Sequence, residues 1–118
     1  MRKCLSFLAK DNAEGIKNQL SRRGQVSIME MVNNQGFSML HLAAFNNATK
    51  CFNEIIAQAE EEAKLMDVEQ RMLQAKNWID LKTKSEQFTA LHYASYRGNI
   101  KICRVLHSLG ADCTLVNI

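Results

Sequence analysis

The stretch Phe37-Ser38-Met39-Leu40-His41-Leu42-Ala43-Ala44-Phe45 returns almost intact as Phe88-Thr89-Ala90-Leu91-His92-Tyr93-Ala94-Ser95-Tyr96. Position by position the pairs are identical or close in size and polarity, apart from Leu42 against Tyr93 and Met39 against Ala90. Downstream, Cys51, Phe52 and Ile55 answer to Ile102, Cys103 and Leu106. A degenerate earlier copy sets Leu5, Ala9, Ile16, Leu20 and Gly24 against Leu91, Ser95, Ile102, Leu106 and Gly110. Such self-similarity confines the chain to a stack of like units, each too small to bury its own apolar face without a neighbour.

Each unit reads as a pair of helices. The chain has no proline and only five glycines, so little interrupts a helix. Ser38 and Thr89 stand where a helix begins, and their hydroxyls can accept from the first free amides. Leu40, Ala43 and Ala44 make an apolar stripe at helical spacing, with alanines small enough for close helix approach. Asn47 and Gly98 fall at the break between the two helices, where a left-handed backbone is needed, and Gly24 and Gly110 end the second helices in the same way.

Thr89-Ala90-Leu91-His92-Tyr93-Ala94 resembles the T-P-L-H-x-A signature of ankyrin repeats, and Ser38-Met39-Leu40-His41-Leu42-Ala43 is a looser version. Gly98-Asn99, then Ile102-Cys103-Arg104-Val105-Leu106, then Gly110-Ala111-Asp112 resemble that family's inter-helix turn, second helix and exit. The resemblance implies an all-α ankyrin-repeat solenoid of helix pairs joined by hairpin loops. Residues 1–118 then form one array, with approximate repeats at 1–32, 33–78 and 79–118 and hairpins near 25–37 and 79–88. Two departures stand out. The matched motifs are 51 residues apart, against roughly 33 in the family. The surplus falls after Ile56, within Ala57 to Lys82, and predicts a helical insertion over 57–76. One long helix is one reading of it. The other is a second helix starting at Val68 and running to about Lys76, because Asp67 and Gln70 have the spacing of a capping box. Long insertions add little loop entropy, so a short replacement loop is expected to leave the stack folded. The second departure is Gln87, beside Glu86, where the family's hairpin glycine would stand; the first hairpin keeps it as Gly36.

Candidate chemistry is sparse. His41 and His92 each lie three positions after a hydroxyl, which suggests a serine–histidine pair, but no orienting carboxylate or oxyanion-hole glycine motif accompanies them. They are read as structural imidazoles bonded to their own helix starts. His107, near a helix end, is given no role. Glu60-Glu61-Glu62 point in different directions on a helix and are read as a solvated face, not a metal site. Arg22-Arg23 read as surface, and Trp78, Ile79 and Leu81 as packing the insertion onto the stack. Cys4, Cys51, Cys103 and Cys113 form no C-x-x-C pair and sit in apolar stretches, which points to a reducing, cytoplasmic setting. A net charge of +3 does not argue for nucleic acid or a membrane surface. The opening Met1–Ala9 is too short in its apolar part for a signal peptide, and no apolar run is long enough to cross a bilayer. The expectation is therefore no catalytic residues, no metal, no cofactor and no enzyme activity.

Phe37, Phe45, Phe88 and Tyr96 occupy slots that, by the resemblance, lie on the concave side and contact partners. Exposed slots usually carry polar residues, and aromatics dominate interface hot spots. Packing between adjacent repeats is the other use for them, and the two are compatible. With Asn34, Gln35, Asn46, Glu86 and Arg97 they form the expected partner-binding set. The expected function is a scaffold that binds another protein on its concave surface, without nucleic acid or direct membrane insertion. The alternative is a regulatory or targeting segment of a larger protein, such as a membrane acyltransferase or a channel. The last helix pair, with Ile102, Val105, Leu106 and Leu109, lacks a clearly polar outer face, so further repeats or a partner are expected to cover that end.

Overall fold

A computed structural model describes residues 7–22 and 27–111. Leu5, Arg23, Gly24, Cys4, Cys113 and the start of the first hairpin therefore lie outside the described residues. The helices are α1 (Ala13–Ser21), α2 (Met39–Phe45), α3 (Thr49–Ala63), α4 (Val68–Ile79), α5 (Ala90–Tyr96) and α6 (Ile100–Ser108), with a 3₁₀ turn at Ile28–Glu30. Residues 7–9 are also helical. The extended pairing among the described residues is an isolated antiparallel bridge, Val32 with Ser38. The short first helices α2 and α5 pack side by side, and the second helices form a parallel layer in which α1 meets α3 and α3 meets α6. Between the layers lie Leu40, Ala43 and Ala44 from α2, Cys51, Phe52 and Ile55 from α3, and Ile102 and Leu106 from α6.

The caps follow the sequence. Ser38 Oγ accepts the His41 N–H at 3.4 Å and Thr89 Oγ1 accepts that of His92 at 3.4 Å. The histidine answers each time: Nδ1 accepts the backbone N–H of Ser38 at 3.0 Å and of Thr89 at 2.9 Å. This is a reciprocal capping box with imidazole in the place usually held by Glu or Gln. Asn47 and Gly98 have φ of +56° and +69° at the inter-helix breaks, and Gly110, with φ +91°, follows α6. In the first repeat that role falls to Asp11, φ +50°, with Asn12 as the N-cap of α1. The turn is thus one residue out of the register set by the buried Ile16 and Leu20, which pairs Asn12 with Gly98.

Asp11 also reaches the next repeat. Ala48, the N-cap of α3, has no side-chain cap of its own. The Asp11 carboxylate supplies it, accepting from Cys51 N at 3.0 Å and Lys50 N at 3.4 Å. One repeat further on, Asn99 caps α6 through Ile102 N, while its amide donates to Asn47 Oδ1 at 2.6 Å and Thr49 Oγ1 at 2.9 Å.

The insertion takes the two-helix form. α3 continues to Ala63, and α4 starts at Val68 under Asp67, whose Oδ1 accepts from Gln70 N at 2.8 Å. It ends at Ile79, not Lys76. Trp78 and Ile79 belong to the common core, so the insertion is docked into the stack rather than merely lying beside it, and excising all of 57–82 would open that core. Glu62 departs from the solvated reading that fits its neighbours Glu60 and Glu61. Its carboxylate accepts from Ser27 Oγ at 2.6 Å and Ile28 N at 3.0 Å and clamps the 3₁₀ turn.

Candidate partner-binding surface

The surface starts from the helix caps. His41 is fully buried between its own cap and the following hairpin. Because Nδ1 accepts from Ser38 N, the proton sits on Nε2, which donates to Leu81 O at 2.8 Å and Phe88 O at 3.1 Å. The imidazole thus ties the second repeat to the third repeat's hairpin. Burial lowers its pKa below the ordinary imidazole value, while the bonds to Phe88 and Leu81 oppose that shift. Ser38 Oγ lies 2.9 Å from His41 Nδ1, but both residues are fully buried and no substrate can reach the pair. Among the described residues no three His, Cys, Asp or Glu side chains gather as a metal site.

Above the caps, the aromatic side chains meet on a residue that the repeat comparison left aside. Tyr93 is the hub: its ring centroid lies 5.4 Å from Phe37, 5.7 Å from Phe45, 5.7 Å from Phe88 and 5.9 Å from His41. These are mostly edge-to-face contacts, the geometry that aromatic quadrupoles favour. Burial also pushes the Tyr93 phenol upward, so it is neutral near pH 7. Leu42, the matching residue one repeat earlier, has no ring and gave no hint of this. The signal was the Tyr93–Leu42 mismatch itself, an aromatic set where two repeats' rings converge.

The expected site residues divide into two groups. Asn34, Gln35, Phe37 and Glu86 line one cleft of about 360 Å³ between the hairpin tips, with Thr83, Lys84 and Ser85. The two tips are tied where Lys84 N donates to Gln35 O at 3.1 Å. Gly36, φ +82°, permits that approach, since a Cβ there would sit 2.9 Å from Lys84 N. Gln87 occupies the equivalent left-handed position, φ +59°, and its amide donates to Thr83 O and Lys84 O, both at 3.0 Å. At the far ends of α2 and α5 are Phe45, Asn46, Tyr96 and Arg97. Phe45 is 50% exposed although it packs on Phe37 and Tyr93. Tyr96 is 86% exposed and makes no ring contact among the described residues. Phe88 stacks on His92 at 4.9 Å and remains partly exposed. Asn46 spends its amide on Leu42 O at 2.7 Å, and Arg97 is exposed.

Two layers of short paired helices, capped by Ser/Thr–His boxes and linked by hairpins, define a helical repeat protein. The chain matches the family described as ankyrin repeats (3 copies) over residues 5–117 and belongs to the ankyrin-repeat family. It is also similar to human ankyrin repeat and SOCS box protein 3, 28% identical over 108 residues. That match covers 92% of this chain but 18% of the relative, so the chain spans less than a fifth of the relative's length. Ankyrin repeats are in general protein–protein interaction modules. No helix among the described residues is long and apolar enough to cross a membrane.

Proposed function

We propose that the chain holds a protein partner on the surface formed by the hairpin tips and the exposed flank of α2 and α5. The observation that supports this best is Tyr96, 86% exposed at the end of α5 and next to Arg97, with the half-exposed Phe45 at the equivalent end of α2. Solvent-facing tyrosine and arginine near a rigid aromatic cluster are the side chains that carry binding energy in protein interfaces. Asn34, Gln35, Phe37 and Glu86 in the tip cleft, with Asn46 and Phe88, complete the proposed contact set. Phe37 packs against Tyr93, so it orders the surface more than it touches the ligand.

The test is affinity capture with photo-crosslinkers placed at Tyr96 or at Leu65 on the insertion. Crosslinks from Tyr96, with capture weakened at least tenfold by Tyr96→Ala, support the reading. Capture that survives Tyr96→Ala and Arg97→Ala and crosslinks only from Leu65 overturns it.

A second reading has its own support. The relative is several times longer than this chain, and α6 leaves Ile100 and Leu109 exposed, apolar surface that a further repeat or a partner would cover. On that reading the array is a regulatory or targeting segment of a larger protein, for instance a membrane acyltransferase or a channel.

A further inference from the structure

The insertion helps to build a second recessed site, whose lining shares no residue with the tip cleft. Between the 3₁₀ turn and the C-terminal end of α4 lies a cleft of about 290 Å³, at the small end of the ligand-pocket range. Its apolar floor is Met29, Val32 and Leu81, and its polar wall is Glu30, Gln74 and Asn77. Trp78 closes it: the indole is 5% exposed, and its buried N–H has no hydrogen-bond partner. Glu30, Gln74 and Asn77 likewise have no side-chain hydrogen-bond or ion-pair partner among the described residues. Of these groups only the Trp78 N–H is buried without a partner; the exposed Glu30 and Asn77 and the half-buried Gln74 keep their polar atoms free to meet a ligand over the apolar floor.

Both walls are fixed in advance. Glu62 clamps Ser27 and Ile28 at the start of the 3₁₀ turn, and His41 holds the Leu81 carbonyl. Among the described residues, the one charged side chain lining the cleft is the Glu30 carboxylate. We propose that this cleft takes a basic side chain, arginine by preference, from an extended peptide. The aliphatic stem packs on Met29, Val32 and Leu81 while the guanidinium meets Glu30, as long cationic side chains do when apolar surface leads to a carboxylate. A planar guanidinium also pairs with a carboxylate in two-pronged fashion, which ammonium cannot. Gln74 and Asn77 offer amides to the peptide backbone.

Trp78 is the chain's single tryptophan, so the fluorescence signal comes from the residue that closes this cleft. The full chain is titrated with acetyl-Gly-Arg-Gly-amide and with the Gln and Glu counterparts, on the wild type, Glu30→Gln and Tyr96→Ala. The expected result is a saturable change with the Arg peptide, at least tenfold weaker for the Gln and Glu peptides. Glu30→Gln weakens the Arg response at least tenfold, whereas Tyr96→Ala, outside the cleft lining, alters it less than twofold. Three results overturn the proposal: no saturable response up to roughly 10 mM peptide, too weak to be a site; equal responses to Arg and Gln peptides; or a response indifferent to Glu30→Gln. None of these bears on Tyr96, so this site and the surface proposed above stand or fall separately.

Discussion

His41 concentrates the residue-scale physics. A neutral imidazole joins its own helix cap to two carbonyls of the next hairpin, with no solvent contact. Replacing it with alanine leaves the Leu81 carbonyl and the Ser38 amide without partners, while the Phe88 carbonyl keeps the Thr83 N–H, at a cost of about 1–3 kcal/mol. The pH dependence follows from the direction of its shift. The folded-state pKa is below the ordinary value of 6.5, so near and below that value the unfolded chain binds the proton more readily. The stabilisation is complete above 6.5 and declines as the pH falls toward the folded pKa. Thermal melts between pH 7.5 and 5.5 should show wild-type stability dropping, with a smaller drop in His41→Ala; equal drops would assign the acid sensitivity elsewhere. Much of this was legible in sequence, because a hydroxyl three residues before histidine is a local pattern. Tyr93 as the aromatic hub was not, since its partners come from residues 37, 45 and 88, which only the stacking of two repeats brings together.

At the scale of the helix, caps are borrowed between repeats. α3 begins on Ala48, which is buried and has no capping atom, and the missing acceptor arrives from Asp11 across the repeat boundary. Losing such a cap removes about 0.5–2 kcal/mol. Asp11→Ala should fall toward the upper part of that range, because alanine also tolerates the φ of +50° less well than aspartate does. Asp11→Asn, which keeps a side-chain oxygen and accepts the left-handed backbone, should recover most of the loss. Urea unfolding of the three proteins checks this; an Asn variant as unstable as the Ala variant would rule out capping. The sequence makes the helix pairs and their breaks plain through Asn47, Gly98 and Gly110, whose conformational preferences are their own. It hides the Asp11 cap, the one-residue shift of the first turn and the Glu62 clamp. The cap and the clamp join residues some 35–40 positions apart, and no local spacing encodes such a contact.

For the molecule as a whole, the insertion decides how far the array can be simplified. Helical propensity marks it as helical, the capping pattern at Asp67 leaves one helix or two open, and Trp78 is the residue expected to dock it. What they did not reveal is that docking holds the base of the insertion and leaves its tip out. Ala59, Ala63, Trp78 and Ile79 are buried, while Leu65 is 90% exposed, Val68 is exposed, and Met72 and Leu73 stand out from the surface beside Leu109. Excising 57–82 with a short linker therefore removes core residues from a small array. Truncating a buried tryptophan or isoleucine alone costs roughly 2–5 kcal/mol, a large share of the roughly 5–15 kcal/mol that keeps a domain folded. Loop entropy, which changes slowly with length, cannot offset that loss. Changing Leu65, Val68, Met72 and Leu73 together to glutamine removes the exposed apolar surface and leaves the docked end intact. Each such surface change is worth within about 0.5 kcal/mol. The deletion should lower the melting temperature steeply or abolish cooperative unfolding, and the four-glutamine variant should melt within a few degrees of the wild type. Partner capture measured on that folded variant then separates the two faces of the array. Retained binding keeps the ligand on the Tyr96 side, and lost binding moves it to the tip of the insertion.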